Sequence, residues 1–163
     1  MNDKIVCNAS PLIFLAQLGR LHLLNELFKE TLVPDSAWDE AVRKPDVISK
    51  TLNKMKTSGD LHVITVKNRT AVSAMIGRLH IGEVEVIVGA SELGIQNVIL
   101  DDGYARNKAK QMGLNVTGTL GILIASRHKG IITDIDTEID NLMSYGFRID
   151  KAIVDQVRNL FRN

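Results

Sequence analysis

The chain has a single cysteine, Cys7, in 163 residues, so it can form neither an internal disulfide nor a multi-cysteine metal site. One thiol suits a reducing compartment, and the expected location is cytoplasmic. Within the apolar stretch KIVC, Cys7 reads as a small buried side chain. Aromatic residues are scarce at 4%, which leaves Leu, Ile, Val and Ala to build the core. The scarcity also argues against binding single strands on a row of stacked rings. No apolar run reaches the roughly eighteen residues of a membrane span, and no basic-then-apolar leader opens the sequence. A soluble protein with no membrane partner is therefore expected. Net charge is +1, so there is no overall excess of either sign to mark a nucleic-acid binder or an acidic tail.

What is present suits one domain with a self-sufficient core: 45% of residues are apolar and 24% charged. Residues 4–7 read as a short buried strand. Ser10 is placed to cap a helix whose first residue is Pro11, and Gly19 divides the apolar-periodic segment PLIFLAQLGRLHLLNELF in two. Pro34 ends a second apolar run, TLVP. Ser36 opens SAWDEAVR, with Asp39 in capping-box register. Residues 46–57 predict an exposed helix, LHVITV (61–66) a strand, 82–94 a helix, and VILD (98–101) a buried strand. GYARNKAKQMG predicts a helix closed by Gly113, NVTG a further strand, and TLGILIASRHKG a helix with a basic end. Strands alternating with helices predict an α/β fold with a central parallel sheet, whose ligand sits beyond the carboxyl ends of the strands. Residues 1–130 form the core of this domain, and 131–163 read as a helical C-terminal extension of it, without a strand.

Carboxylates fall repeatedly near those strand ends. NVILDDGYAR (97–106) closes an apolar strand with adjacent Asp101 and Asp102; Glu40 follows the second strand, and Glu83 opens the helix before the DD pair. Singly, each has an ordinary explanation: Glu83 favours a helix dipole, Glu40 is a solvated acid, and Asp102 is an N-cap. Jointly, they suit a hard divalent cation, Mg²⁺ or Mn²⁺, which takes oxygen ligands and would let acids approach a phosphodiester. The basic groups at Arg106, Lys108 and Lys110, and at Arg127, His128 and Lys129, suit solvated helix faces, although Arg106 lies about one helical turn beyond Asp102 and could meet a phosphate. Other patterns fall short. TDIDTEID lacks the Gly and Glu of a calcium loop, TGTLG lacks the end of a P-loop, and the four histidines are scattered. Thr119, read as an N-cap, offers backbone N–H groups to a phosphate, which keeps open a nucleotide-binding reading.

The ordered set NASPLI, VPDSAWDEAV, GEVEVIVGASELG, VILDDGYAR and GTLGIL resembles the PIN-domain proteins, and within them a prokaryotic branch related to the VapC toxins of toxin–antitoxin pairs. The resemblance runs through nearly all of residues 4–147. It implies a three-layer α/β/α sandwich and an Mg²⁺- or Mn²⁺-dependent ribonuclease acting on RNA, with a cognate antitoxin and a homodimeric state. Carried over by position, the acidic quartet falls on Asn8, Glu40, Glu83 and Asp102, with Asp101 adjacent and Ser10 as the small hydroxyl. The first acid is replaced by Asn8, whose carbonyl brings no charge. Asp101 is the expected compensation. The other outcome is a catalytically weak module that binds RNA or protein.

Overall fold

The structure, a computed structural model, describes residues 3–162. Five parallel strands, β1 (Lys4–Cys7), β2 (Glu30–Pro34), β3 (His62–Ile64), β4 (Asn97–Ile99) and β5 (Asn115–Thr117), form one sheet in the order β3-β2-β1-β4-β5. β1 is central, and Val6 lies between Leu32 and Val98. Alternation along it divides the core: Ile5 and Cys7 face one apolar cluster and Val6 the other. The first cluster takes in α1 (Ala9–Gln17), α2 (His22–Leu27), α3 (Asp35–Ala41), α4 (Val47–Ser58), α8 (Thr119–His128), α9 (Ile135–Ser144) and α10 (Lys151–Leu160). The second takes in α5 (Arg69–Met75), α6 (Ile81–Leu93) and α7 (Gly103–Gln111). Helices thus cover both faces of the sheet, the α/β/α sandwich expected from the alternating pattern. Burial pushes the Cys7 thiol well up, and the nearby Asp101 charge adds to this, so the lone cysteine is unreactive.

Gly19, at φ +69°, splits the first helical segment as expected. Several helix starts differ from expectation. α1 begins at Ala9, so Asn8 holds the cap position and Ser10 lies inside the first turn, exposed. Likewise α3 begins at Asp35 with no side-chain cap of its own, and no capping box forms between Ser36 and Asp39. Thr119 is the first residue of α8, with Gly118 at the cap. β3 is shorter than LHVITV, because the chain turns away to start α5, a helix not anticipated, capped by Asn68 accepting from the Ala71 N–H at 3.1 Å.

Residues beyond 131 pack onto the first core cluster through Ile132, Ile135, Ile139, Leu142, Val154 and Val157. Asp134 caps α9 by accepting from the Thr137 N–H, which accounts for the acid-rich stretch without calcium. Glu138 of α9 is buried and accepts from Nε and Nη2 of Arg20, in the turn between α1 and α2. Arg20→Ala would leave that carboxylate buried without a cation, so a loss of about 2 kcal/mol is expected in urea unfolding. Glu138→Ala should lose less, since Arg20 is partly exposed and can rehydrate.

Candidate metal centre

In the order β3-β2-β1-β4-β5 the winding direction reverses between β1 and β4, and their carboxyl ends open the crevice where α/β sheets place ligands. Asn8 follows β1 directly, and its N–H donates to the Ile99 carbonyl at 3.1 Å, fixing it beside the end of β4. Two further elements reach the same place. The first turn of α6 carries Gly82 and Glu83, and the last turn of α3 carries Glu40. Gly82 permits the convergence: a Cβ there would lie 3.1 Å from Asn8 Oδ1 and 3.8 Å from both the Ala37 Cα and Glu40 Oε2. No local signal in the sequence marked this glycine beyond its place before an acid at a helix start.

Two oxygens in the crevice lack donors. Asn8 Oδ1 and Glu83 Oε2 are buried and accept no hydrogen bond from the described residues. Buried acceptors are normally satisfied, and leaving one bare costs about 1–3 kcal/mol. Burial pushes the Glu83 carboxyl above its ordinary range; the Asp102 charge adds to this and Glu40 contributes less, while a backbone hydrogen bond and the charge of His80 pull the other way. Acids and an orphaned amide oxygen facing one another call for a proton or a cation.

The doubled aspartate divides between two tasks. Asp102 stands close enough to Glu83 to raise its carboxyl, and also caps α7 by accepting from the Ala105 N–H at 2.9 Å. Asp101 turns to α8: its oxygens accept from the Thr119 N–H at 2.7 Å and the Thr119 hydroxyl at 2.6 Å. Burial raises its carboxyl, against those two hydrogen bonds and the Arg106 charge. Each Asp101 oxygen thus already accepts one hydrogen bond from Thr119, and its charge stands on the α8 side of the crevice. The same bonds correct the expectation for Thr119, which is fully buried and gives both donors to Asp101 rather than to a phosphate. Arg106 is half-buried and donates through Nη1 to the Leu100 carbonyl at 2.9 Å, and Ser10 is exposed one turn into α1.

Among the described residues, no group of three or more His, Cys, Asp or Glu side chains is placed to hold a metal ion. The convergent set is mixed, with Asn8 supplying the neutral member. All of its donors are oxygens, two of them without partners, which fits a hard divalent ion.

A parallel sheet of this order with acids at its switch point defines a PIN-type α/β fold. A sequence profile of the DUF3368 family, a PIN domain, matches residues 4–163, and the chain belongs to that family. Among solved structures it is similar to a PilT N-terminus domain protein from the hyperthermophilic archaeon Sulfolobus solfataricus P2. The two share 22% identity over 76% of this chain and 92% of the other, with a TM-score of 0.55, a likeness of fold. No curated protein matches. PIN domains are in general nucleases, typically with divalent metals. Among the described residues no helix is long and apolar enough to cross a membrane.

Proposed function

We propose that the protein is a metal-dependent endoribonuclease of VapC-toxin type. The observation that carries this reading is the pair of orphaned oxygens, Asn8 Oδ1 and Glu83 Oε2, at the sheet's switch point beside Glu40 and Asp102. Asn8, Glu40, Glu83 and Asp102 would hold Mg²⁺ or Mn²⁺, with Asp101 adding charge from behind. Such an ion supplies polarisation of a phosphodiester and a water of lowered pKa. The chain's own contribution is placement. α3 and α6 bring two acids to strand ends that are locked together by the Asn8–Ile99 bond. The exposed Ser10 hydroxyl can orient a phosphate or a water at the rim, and Arg106 offers a guanidinium to the strand leaving the site. RNA is the substrate, and a cognate antitoxin and a second copy of the chain are the partners in this reading.

A second reading, a PIN-like binding module with little catalysis, draws on Asn8 alone, since its carbonyl brings one negative charge fewer than a carboxylate. Calorimetric titration of Mn²⁺ separates the two. The nuclease reading expects wild type to bind, Asn8→Asp to bind at least about tenfold tighter, one added charge at contact being worth upward of 1.4 kcal/mol, and RNA cleavage to stop in EDTA. Absence of binding at millimolar metal, with RNA or partner binding that persists in EDTA, would favour the module.

A further inference from the structure

A cleft of about 890 Å³ lies next to the acids rather than over them. It is lined by Asp101 and Gly103, by Val116 and Gly118 at the β5 edge of the sheet, and by Arg148 and Asp150 just ahead of α10. We propose that it seats one unpaired nucleotide of the RNA beside the scissile phosphate. Arg106 and Arg148 hold the flanking phosphate, and the apolar wall of Leu120, Ile124 and Ile149 receives the base. This subsite rests on the nuclease reading of the neighbouring acids.

Four observations support it. A cleft of this volume falls within the range that accommodates small-molecule ligands, roughly 300–1,000 Å³. The cleft's charged lining is Arg106, Arg148, Asp101 and Asp150, and among the described residues neither arginine makes an ion pair, whereas Arg20, Arg69 and Arg158 are each paired with a carboxylate. Asp101, one of the two acids lining the cleft, has both oxygens turned to Thr119. A Cβ on Gly118 would meet Arg106 Nη1 at 2.7 Å and Asp101 Oδ1 at 2.8 Å, so both side chains reach the cleft floor only because position 118 is glycine. Finally, the competing occupant, a peptide adding a strand to the sheet, would find an edge of only three residues in β5. A single unpaired base, by contrast, can pack between aromatic or apolar side chains while arginines take the backbone.

The C-terminal extension would then be part of the substrate site. The test is fluorescence anisotropy of a labelled single-stranded RNA with the full chain in EDTA, across a salt series. Arg148→Ala, an exposed position, is expected to weaken binding about tenfold and to lower the slope of log affinity against log salt by about 0.7, the value for one phosphate contact on a single strand. Arg148→Lys should keep the slope, and neither change should alter Mn²⁺ affinity. Unchanged RNA affinity in Arg148→Ala would overturn the subsite and leave the cleft to a protein segment. Carboxylate-dependent Mn²⁺ binding alongside that result would leave the nuclease reading standing. The reverse pattern, RNA affinity dependent on Arg148 without metal binding, would keep the subsite and remove the nuclease.

Discussion

Glu83→Gln is expected to abolish metal-dependent RNA cleavage, by at least about a hundredfold, while making the metal-free protein more stable at neutral pH. Both effects come from one carboxylate. Glu83 is 8% exposed, and its Oε2 has no donor. Burial first, then the charges of Asp102 and Glu40, hold its carboxyl above the ordinary range. A raised carboxyl binds its proton more tightly in the folded chain than in the unfolded one. Its favourable contribution is therefore complete below the unfolded value, and is lost as pH rises through the folded value. Ionising this side chain is therefore a net cost to the metal-free fold, which the neutral amide removes. Thermal unfolding in EDTA should show the stability difference between the two proteins shifting in favour of Glu83→Gln from acid towards neutral pH. Added Mn²⁺ should stabilise wild type alone, since a ligand stabilises only the state that binds it. Equal stability and equal cleavage in the two proteins would remove Glu83 from the site.

Glu85→Ala should cost about 2–3 kcal/mol of stability, with a loss of metal affinity although Glu85 faces away from the crevice. Glu85 is 3% exposed, and its two oxygens serve two other helices. Oε1 accepts from the Ser36 N–H at 3.1 Å and Oε2 from Arg69 Nη1 at 2.6 Å. The first bond matters because α3 has no side-chain cap of its own, so α6 supplies the carboxylate that the start of α3 lacks. Glu40 ends α3, and Glu83 lies two residues before Glu85. One buried acid thus fixes the relative position of the two helices that carry the site's carboxylates. Burial pushes Glu85 up, but the hydrogen bonds from Arg69 and Ser36 outweigh it and hold the carboxyl below its ordinary value. For a depressed carboxyl the stabilisation is present above the unfolded value and is lost as pH falls through the folded one. Urea unfolding should therefore show a large gap between wild type and Glu85→Ala at pH 7 that narrows in acid. A gap independent of pH would mean that the loss comes from packing alone.

Elements whose cause is local could be read from the sequence. Alternating apolar strands and helices announce the parallel sheet, Gly19 announces its break, and the acids near strand ends announce the neighbourhood of Glu40, Glu83 and Asp102. What escaped has its cause elsewhere in the chain. The helix of Arg69–Met75 carries too weak an apolar pattern to show itself, and is held by Asn68 and by Glu85 from another helix. Asp101 looks from sequence like a twin of Asp102, but its partner Thr119 lies beyond the next strand and draws it to the other side. Ser36 and Thr119 sit where capping residues often do, yet the folded chain satisfies those helix starts from Glu85 and Asp101.

The place of the first strand in the middle of the sheet bears on how the chain comes into being. Lys4–Cys7 is made ahead of the other four strands of the sheet, but one of its flanks stays open until Asn97–Ile99 has been synthesised, since Val6 pairs with Val98. During that interval a growing chain carries an apolar strand with an unpaired edge, the feature that invites association between chains. A terminated product ending ahead of β4 would keep that edge for good and would tend to aggregate. It would also hold Asn8, Glu40 and Glu83 without the strand end beside which Asn8 is fixed.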